Sequence, residues 1–118
     1  MHPPMHVVRE AVARALAEDL SPLGDLTSAL LPEGEGEARI AARTAGRLAG
    51  TRCAEETWAQ LDPSVEVSWS VPEGADLAAG EVFGHVRGPW PAILTGERTA
   101  LNFLGHLSGI ATLTARYV

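Results

Sequence analysis

The chain has 118 residues, of which 46% are apolar, and a formal net charge of −6. Those figures suit one domain with a core of its own and exclude a disordered chain. Every permanent cation is an arginine and lysine is absent, which excludes Schiff-base chemistry and lysine-borne cofactors, while the acidic balance argues against a nucleic-acid partner.

No apolar run approaches the ~20 residues that a membrane span needs. The opening MHPPMHVVRE lacks a basic start followed by an apolar block, so no secretory signal is expected. Cys53 is the sole cysteine, so neither an intrachain disulfide nor a cysteine metal site can form, and a reducing, cytoplasmic setting is expected. Cys53 reads as a small buried hydrophobe rather than a catalytic thiol.

Residues 6–20 carry Val8, Val12, Ala15, Leu16 and Leu20 on one stripe at helical spacing, after Pro3-Pro4 and before Ser21-Pro22. This predicts an amphipathic helix. The next segment, LGDLTSALLP, reads as a loop in which Asp25 can cap a short turn. Residues 33–37 (EGEGE) read as an exposed turn, and Ala38 to Thr44 and Arg47 to Gly50 as short strands split by Ala45-Gly46. Residues 51–61 read as a helix capped by Thr51, with Cys53, Ala54, Thr57, Trp58 and Leu61 inward and Asp62-Pro63 as its stop.

Val65 to Val71 alternates apolar and polar with period two, the signature of a half-buried strand. Pro72-Glu73-Gly74 is a turn, and Glu81 to Arg87 a further strand that Gly84 weakens. From Pro91, suited to a first helical turn, the pattern is helical, with Leu94, Leu101, Leu104 and Leu107 marking a buried side. Ser108 is placed to cap a second helix over residues 109–118. The sum is an α+β domain with a small, mostly antiparallel sheet and packed helices. The helical pattern reaches Val118 without a glycine or polar cap, which predicts that the sequence belongs to a longer chain.

Arg98, Asn102 and His106 recur at steps of four, and each step drifts only ~40° around a helix. They form one polar stripe on a helix whose other sides are mainly apolar. Such a helix is expected to be largely buried, and a buried arginine needs a partner. Two readings stay open. Arg98 pairs with an acid such as Glu97 or Asp25, or its planar fork awaits an anionic ligand, a carboxylate or a phosphate. Asn102 and His106 alone carry little. Glu18-Asp19 and Glu55-Glu56 are sequence neighbours that point in different directions on helices, so they read as solvated faces. His2, His6, His85 and His106 lack metal-site spacing, and there is no P-loop, dinucleotide fingerprint or Gly-x-Ser-x-Gly element.

The run Glu97 to Leu104 (ERTALNFL), continued by Leu107 to Thr112 (LSGIAT), resembles the signature of the quinolinate phosphoribosyltransferases. Glu18-Asp19 followed by Gly24-Asp25-Leu26-Thr27 is similar to the acidic element after that family's first helix, and Val71 to Gly88 to its hammerhead hairpin. Together the three cover most of residues 10–118 in the family's order. The resemblance implies an α/β-hammerhead-like domain over residues 1–107, with residues 108–118 starting the segment that leads into an α/β barrel. The family joins quinolinate to phosphoribosyl pyrophosphate with Mg²⁺, releasing CO₂ and pyrophosphate and giving nicotinate mononucleotide in NAD biosynthesis.

The family's active site lies between the barrel of one subunit and this domain of its partner, in a homodimer or higher assembly. The role implied for Arg98 is to contact quinolinate in the neighbour's site, with Asn102 and His106 as candidate supporting residues. The resemblance places the catalytic groups and Mg²⁺ in the barrel, so the chain alone is expected to be inactive. Competing readings are a related phosphoribosyltransferase-like protein linked to molybdenum transport and a structural dimerisation module. The latter predicts Arg98 paired within its own chain. A biotinyl or lipoyl carrier shares a hammerhead-like turn but needs the lysine this chain lacks.

Overall fold

A computed structural model of the chain describes residues 4–20, 34–108 and 111–117, the side chains of 19, 20, 106–108 and 111–117 excepted. In chain order the elements are α1 (Met5–Leu20), β1 (Glu35–Ala42), β2 (Gly46–Arg47), α2 (Thr51–Leu61), β3 (Glu66–Trp69), β4 (Asp76–Leu77), β5 (Val82–Pro89), α3 (Trp90–Ser108) and β6 (Ala111–Tyr117). The antiparallel order β3-β5-β1-β6 makes one sheet, and β2 pairs with β4 in a small second one. The α+β architecture expected from the sequence is the one found.

The core follows from the two periodicities. Along β1, Gly36, Ala38, Ile40 and Ala42 are buried, while Glu37, Arg39 and Ala41 take the alternate positions. Opposite them, Phe83 and Val86 of β5 are buried, and α3 adds Trp90, Ile93, Ala100 and Leu104. The other face of the sheet carries charge, with Arg87 registered between Glu37 and Glu66 across three strands. On α1, Val8, Val12 and Leu16 recur at steps of four and form a satellite core with Cys53 and Leu61 of α2.

Glycine is required where backbones approach a ring. A Cβ on Gly36 would fall 2.1 Å from the Trp90 indole, and one on Gly84 would fall 2.8 Å from the Trp69 ring. Gly84 therefore does not weaken β5 but admits Trp69, which stacks on Phe83 with ring centroids 6.1 Å apart.

Four sequence expectations change. Residues 111–117 form a strand antiparallel to β1, from Gly36↔Tyr117 to Ala42↔Ala111, not a helix. Within 33–37, Glu35 to Glu37 already belong to β1 rather than to a turn, and the strand expected over 47–50 contracts to Gly46–Arg47. Helix α2 starts from Gly50, whose left-handed φ of 86° places it at the N-cap, and Thr51 is the first helical residue rather than the cap. The capping acceptor is Glu73, from the turn before β4. Its carboxylate accepts bonds from Gly50 N at 3.1 Å, Thr51 N at 3.3 Å and Thr51 Oγ1 at 2.8 Å. A negative charge at a helix N-terminus also meets the positive end of the peptide dipoles. The stop at Asp62-Pro63 is as read, Asp62 being the C-cap. Asp25, the Gly24-to-Thr27 element and Ser21-Pro22 lie outside the described residues.

Candidate functional site

Helix α3 carries all three candidate residues, and its rotation is fixed by a close seat on α2. Gly96 faces Trp58 so tightly that a Cβ there would lie 2.8 Å from Trp58 Cδ1. The indole nitrogen of fully buried Trp58 donates to the Ile93 carbonyl at 3.1 Å, one turn earlier. At 100° per residue, Arg98 stands about 200° from Gly96, on the opposite side of the helix. The first turn is anchored too: Trp90 N donates to the Gly34 carbonyl at 2.8 Å, and Pro91, which has no N–H, occupies a position that needs none.

The outer arc of α3 holds an open recess of about 440 Å³ lined by Leu94, Glu97, Arg98, Leu101 and Asn102. Arg98 and Asn102 are exposed, and among the described residues Arg98 joins no salt bridge. The expectation of a largely buried helix thus holds for one side only. Leu104 is buried, but Leu94 and Leu101 are half-buried beside Arg98, and Arg98 does not pair with Glu97. His106 follows on the same stripe, but its side chain lies outside the described residues.

The sequence reading considered Glu97 only as a possible partner of Arg98. It is half-buried, and burial raises its carboxyl pKa above the usual carboxylate range. The spacing Leu94, Glu97, Arg98, Leu101 is i, i+3, i+4, i+7, which could have revealed a mixed apolar and charged face.

The reactive groups of α2 are engaged or inert. Burial, and then the charge of Glu73, push the Cys53 thiol up, away from the depressed pKa that activates a nucleophilic cysteine. Glu55 accepts from Trp69 Nε1, and Glu56 from Gln60. A wider groove of about 840 Å³ between α2 and the turn after β3 is lined by Glu55, Glu56 and Trp69 among others, and in it Thr51 bonds Glu73 and Trp69 bonds Glu55. Among the described residues no three His, Cys, Asp or Glu converge to hold a metal, and no helix is long and apolar enough to cross a membrane.

Fold and site together define an α+β hammerhead-like domain that presents an exposed arginine, in no salt bridge among the described residues, from the outer face of a clamped helix. The chain belongs to the quinolinate phosphoribosyltransferase family: "Quinolinate phosphoribosyl transferase, N-terminal domain" matches residues 25–108. It is 39% identical over 113 residues to quinolinate phosphoribosyltransferase [decarboxylating] 1b of Nicotiana tabacum, a match covering 94% of this chain and 32% of that protein. It is 37% identical over 116 residues to a probable nicotinate-nucleotide pyrophosphorylase [carboxylating] of Synechocystis, covering 98% of this chain and 39% of the relative. In three dimensions it is similar to the nicotinate-nucleotide pyrophosphorylase from Francisella tularensis, with a TM-score of 0.82 and 31% identity over 87% of this chain and 36% of that one. The chain thus spans about a third of the length of these relatives.

Proposed function

We propose that the domain serves phosphoribosyl transfer to quinolinate with decarboxylation, giving nicotinate mononucleotide, and that its part is to supply Arg98 to a site built mainly by the barrel of a neighbouring subunit. One observation carries the reading: Arg98 is exposed, belongs to no salt bridge among the described residues, and projects from a helix whose rotation is fixed. An exposed arginine that no acid among the described residues holds is available to a ligand. Its fork matches one of quinolinate's two carboxylates bidentately. Asn102 flanks it in the same recess, and His106 continues the stripe.

In this arrangement residues 1–107 are the domain proper, and 108–118 lead toward the barrel. Phosphoribosyl pyrophosphate, Mg²⁺ and the catalytic groups belong to the barrel. The chain alone does not turn over substrate, because the catalytic groups are the barrel's; its net charge of −6 also opposes both anions at long range. The test is Arg98→Ala in the protein carrying domain and barrel. Truncating one partner of a close charge pair costs about 2–5 kcal/mol, so kcat/KM for quinolinate falls at least about 30-fold, with Arg98→Lys in between because it loses the fork. Unchanged kinetics would refute the assignment. Loss of quinolinate turnover from the unmodified protein would favour the molybdenum-linked relative instead.

A further inference from the structure

Glu97 lines the recess that holds Arg98, with Leu94 three residues before it and Leu101 four after it. The neighbours in sequence do not pair. About 100° separates them on the helix, so they address different groups. Glu97 is half-buried, and among the described residues no cation lies within ion-pair distance of it. Desolvation by burial is the cause of its raised pKa. A carboxylate partly withdrawn from water and left without a cation is costly, and removal of water by an arriving partner makes it costlier unless that partner is positive.

The charge balance says what arrives. A site for a dicarboxylate and a pyrophosphate ester must have a cationic wall, and this chain, at −6 and without lysine, does not supply it. An arginine pushed toward a cationic wall meets repulsion. An acid one residue away offsets that repulsion and finds its own counterion there. Half-buried Leu94 and Leu101 on either side would exclude water from such a pair and strengthen it.

We propose that Glu97 accepts a basic side chain from the barrel of the partner subunit, and that this ion pair sets the position from which Arg98 meets its anion. Glu97 is then a positioning residue. The inference rests on the reading above, that this face of α3 docks on the barrel of a second copy.

The test uses the protein carrying both domain and barrel, with variants Glu97→Gln, Glu97→Asp and Arg116→Gln. Glu97→Gln keeps shape and removes charge. Sedimentation should show its dimer dissociation constant raised about tenfold at low salt, with a weaker salt dependence than wild type. KM for quinolinate should rise by more than kcat falls. Thermal stability of the subunit should hold or increase, since a desolvated charge has gone, whereas a merely structural glutamate would lower it. Glu97→Asp should restore part of the association. Arg116→Gln, which removes the β6 arginine of the same chain, should behave as wild type. A Glu97→Gln dimer as tight and as salt-sensitive as wild type overturns the inference, as does an Arg116→Gln variant that reproduces the Glu97→Gln defect. If Glu97→Gln is silent while Arg98→Ala loses quinolinate affinity, only the ion pair falls. If Arg98→Ala is silent, the proposed function falls first. A monomeric wild type removes both.

Discussion

Adding one methyl group at Gly96 tests how α3 is seated. An alanine Cβ would lie 2.8 Å from Trp58 Cδ1 and 2.9 Å from both Trp58 Nε1 and Leu61 Cδ1. Carbon contacts settle at about 3.5–4.0 Å, so roughly 0.7–1.2 Å of separation must be found. Leu61 can turn aside. Trp58 has no free space, being fully buried, and it is tied to the Ile93 carbonyl. Either α3 lifts or the indole gives up its hydrogen bond. Overpacking of this kind costs about 1–3 kcal/mol, and a lost hydrogen bond about 1 kcal/mol. The better helix propensity of alanine returns about 1 kcal/mol. The balance is a loss of about 1–2 kcal/mol, or a Tm lower by roughly 4 °C for each kcal/mol, read by circular dichroism. The same displacement moves Arg98, and a misplacement near 1 Å can cost about 10²-fold in rate. Quinolinate kcat/KM in the two-domain protein should therefore fall well below the transition temperature. A Gly96→Ala variant as stable as wild type, with unaltered kinetics, would refute the reasoning.

Other outcomes follow from groups already described. Glu73→Ala removes three hydrogen bonds at the start of α2 and should cost about 2 kcal/mol in chemical denaturation, with Glu73→Gln retaining an acceptor and losing less. Burial raises the Glu97 pKa in the folded chain, so its contribution to stability is full below the unfolded value and is lost as pH rises through the folded one. Glu97→Gln should match wild-type stability in acid and exceed it at neutral pH; the opposite order in pH-dependent melts would contradict the assignment. Since burial, then Glu73, hold the Cys53 thiol above its ordinary pKa, a disulfide reagent at pH 7–8 should modify it slowly until denaturant is added. Rapid labelling of the native chain would show otherwise.

Local pattern made part of this architecture legible. The steps of four in Val8, Val12 and Leu16 and the alternation around Val67 each need only one face to be buried, so short windows reveal them. Arg98 stood out for a similar reason, as a lone cation on an apolar helix. What stayed hidden depends on distant chain. Glu73 caps a helix 22 residues before it, and nothing near Thr51 announces that acceptor. Residues 111–117 continue a helical pattern, yet ATLTARY also alternates with period two, and pairing with β1 decides between the two. Leu94 and Leu101 do pack against the core, as read, but only in part, and their spacing of four before and three after Arg98 also sets them at the rim of its recess. Glu97 was considered only as a partner for Arg98 because half-burial is invisible in composition.

Two of the three tryptophans are wholly buried where α3 meets the rest of the domain, Trp90 against Gly36 and Trp58 against Gly96. Indole emission shifts to longer wavelength when water reaches the ring. The helix that bears Arg98 therefore has a native optical gauge at two of its contact points. Its lifting, sliding or docking can be followed in light without any added label.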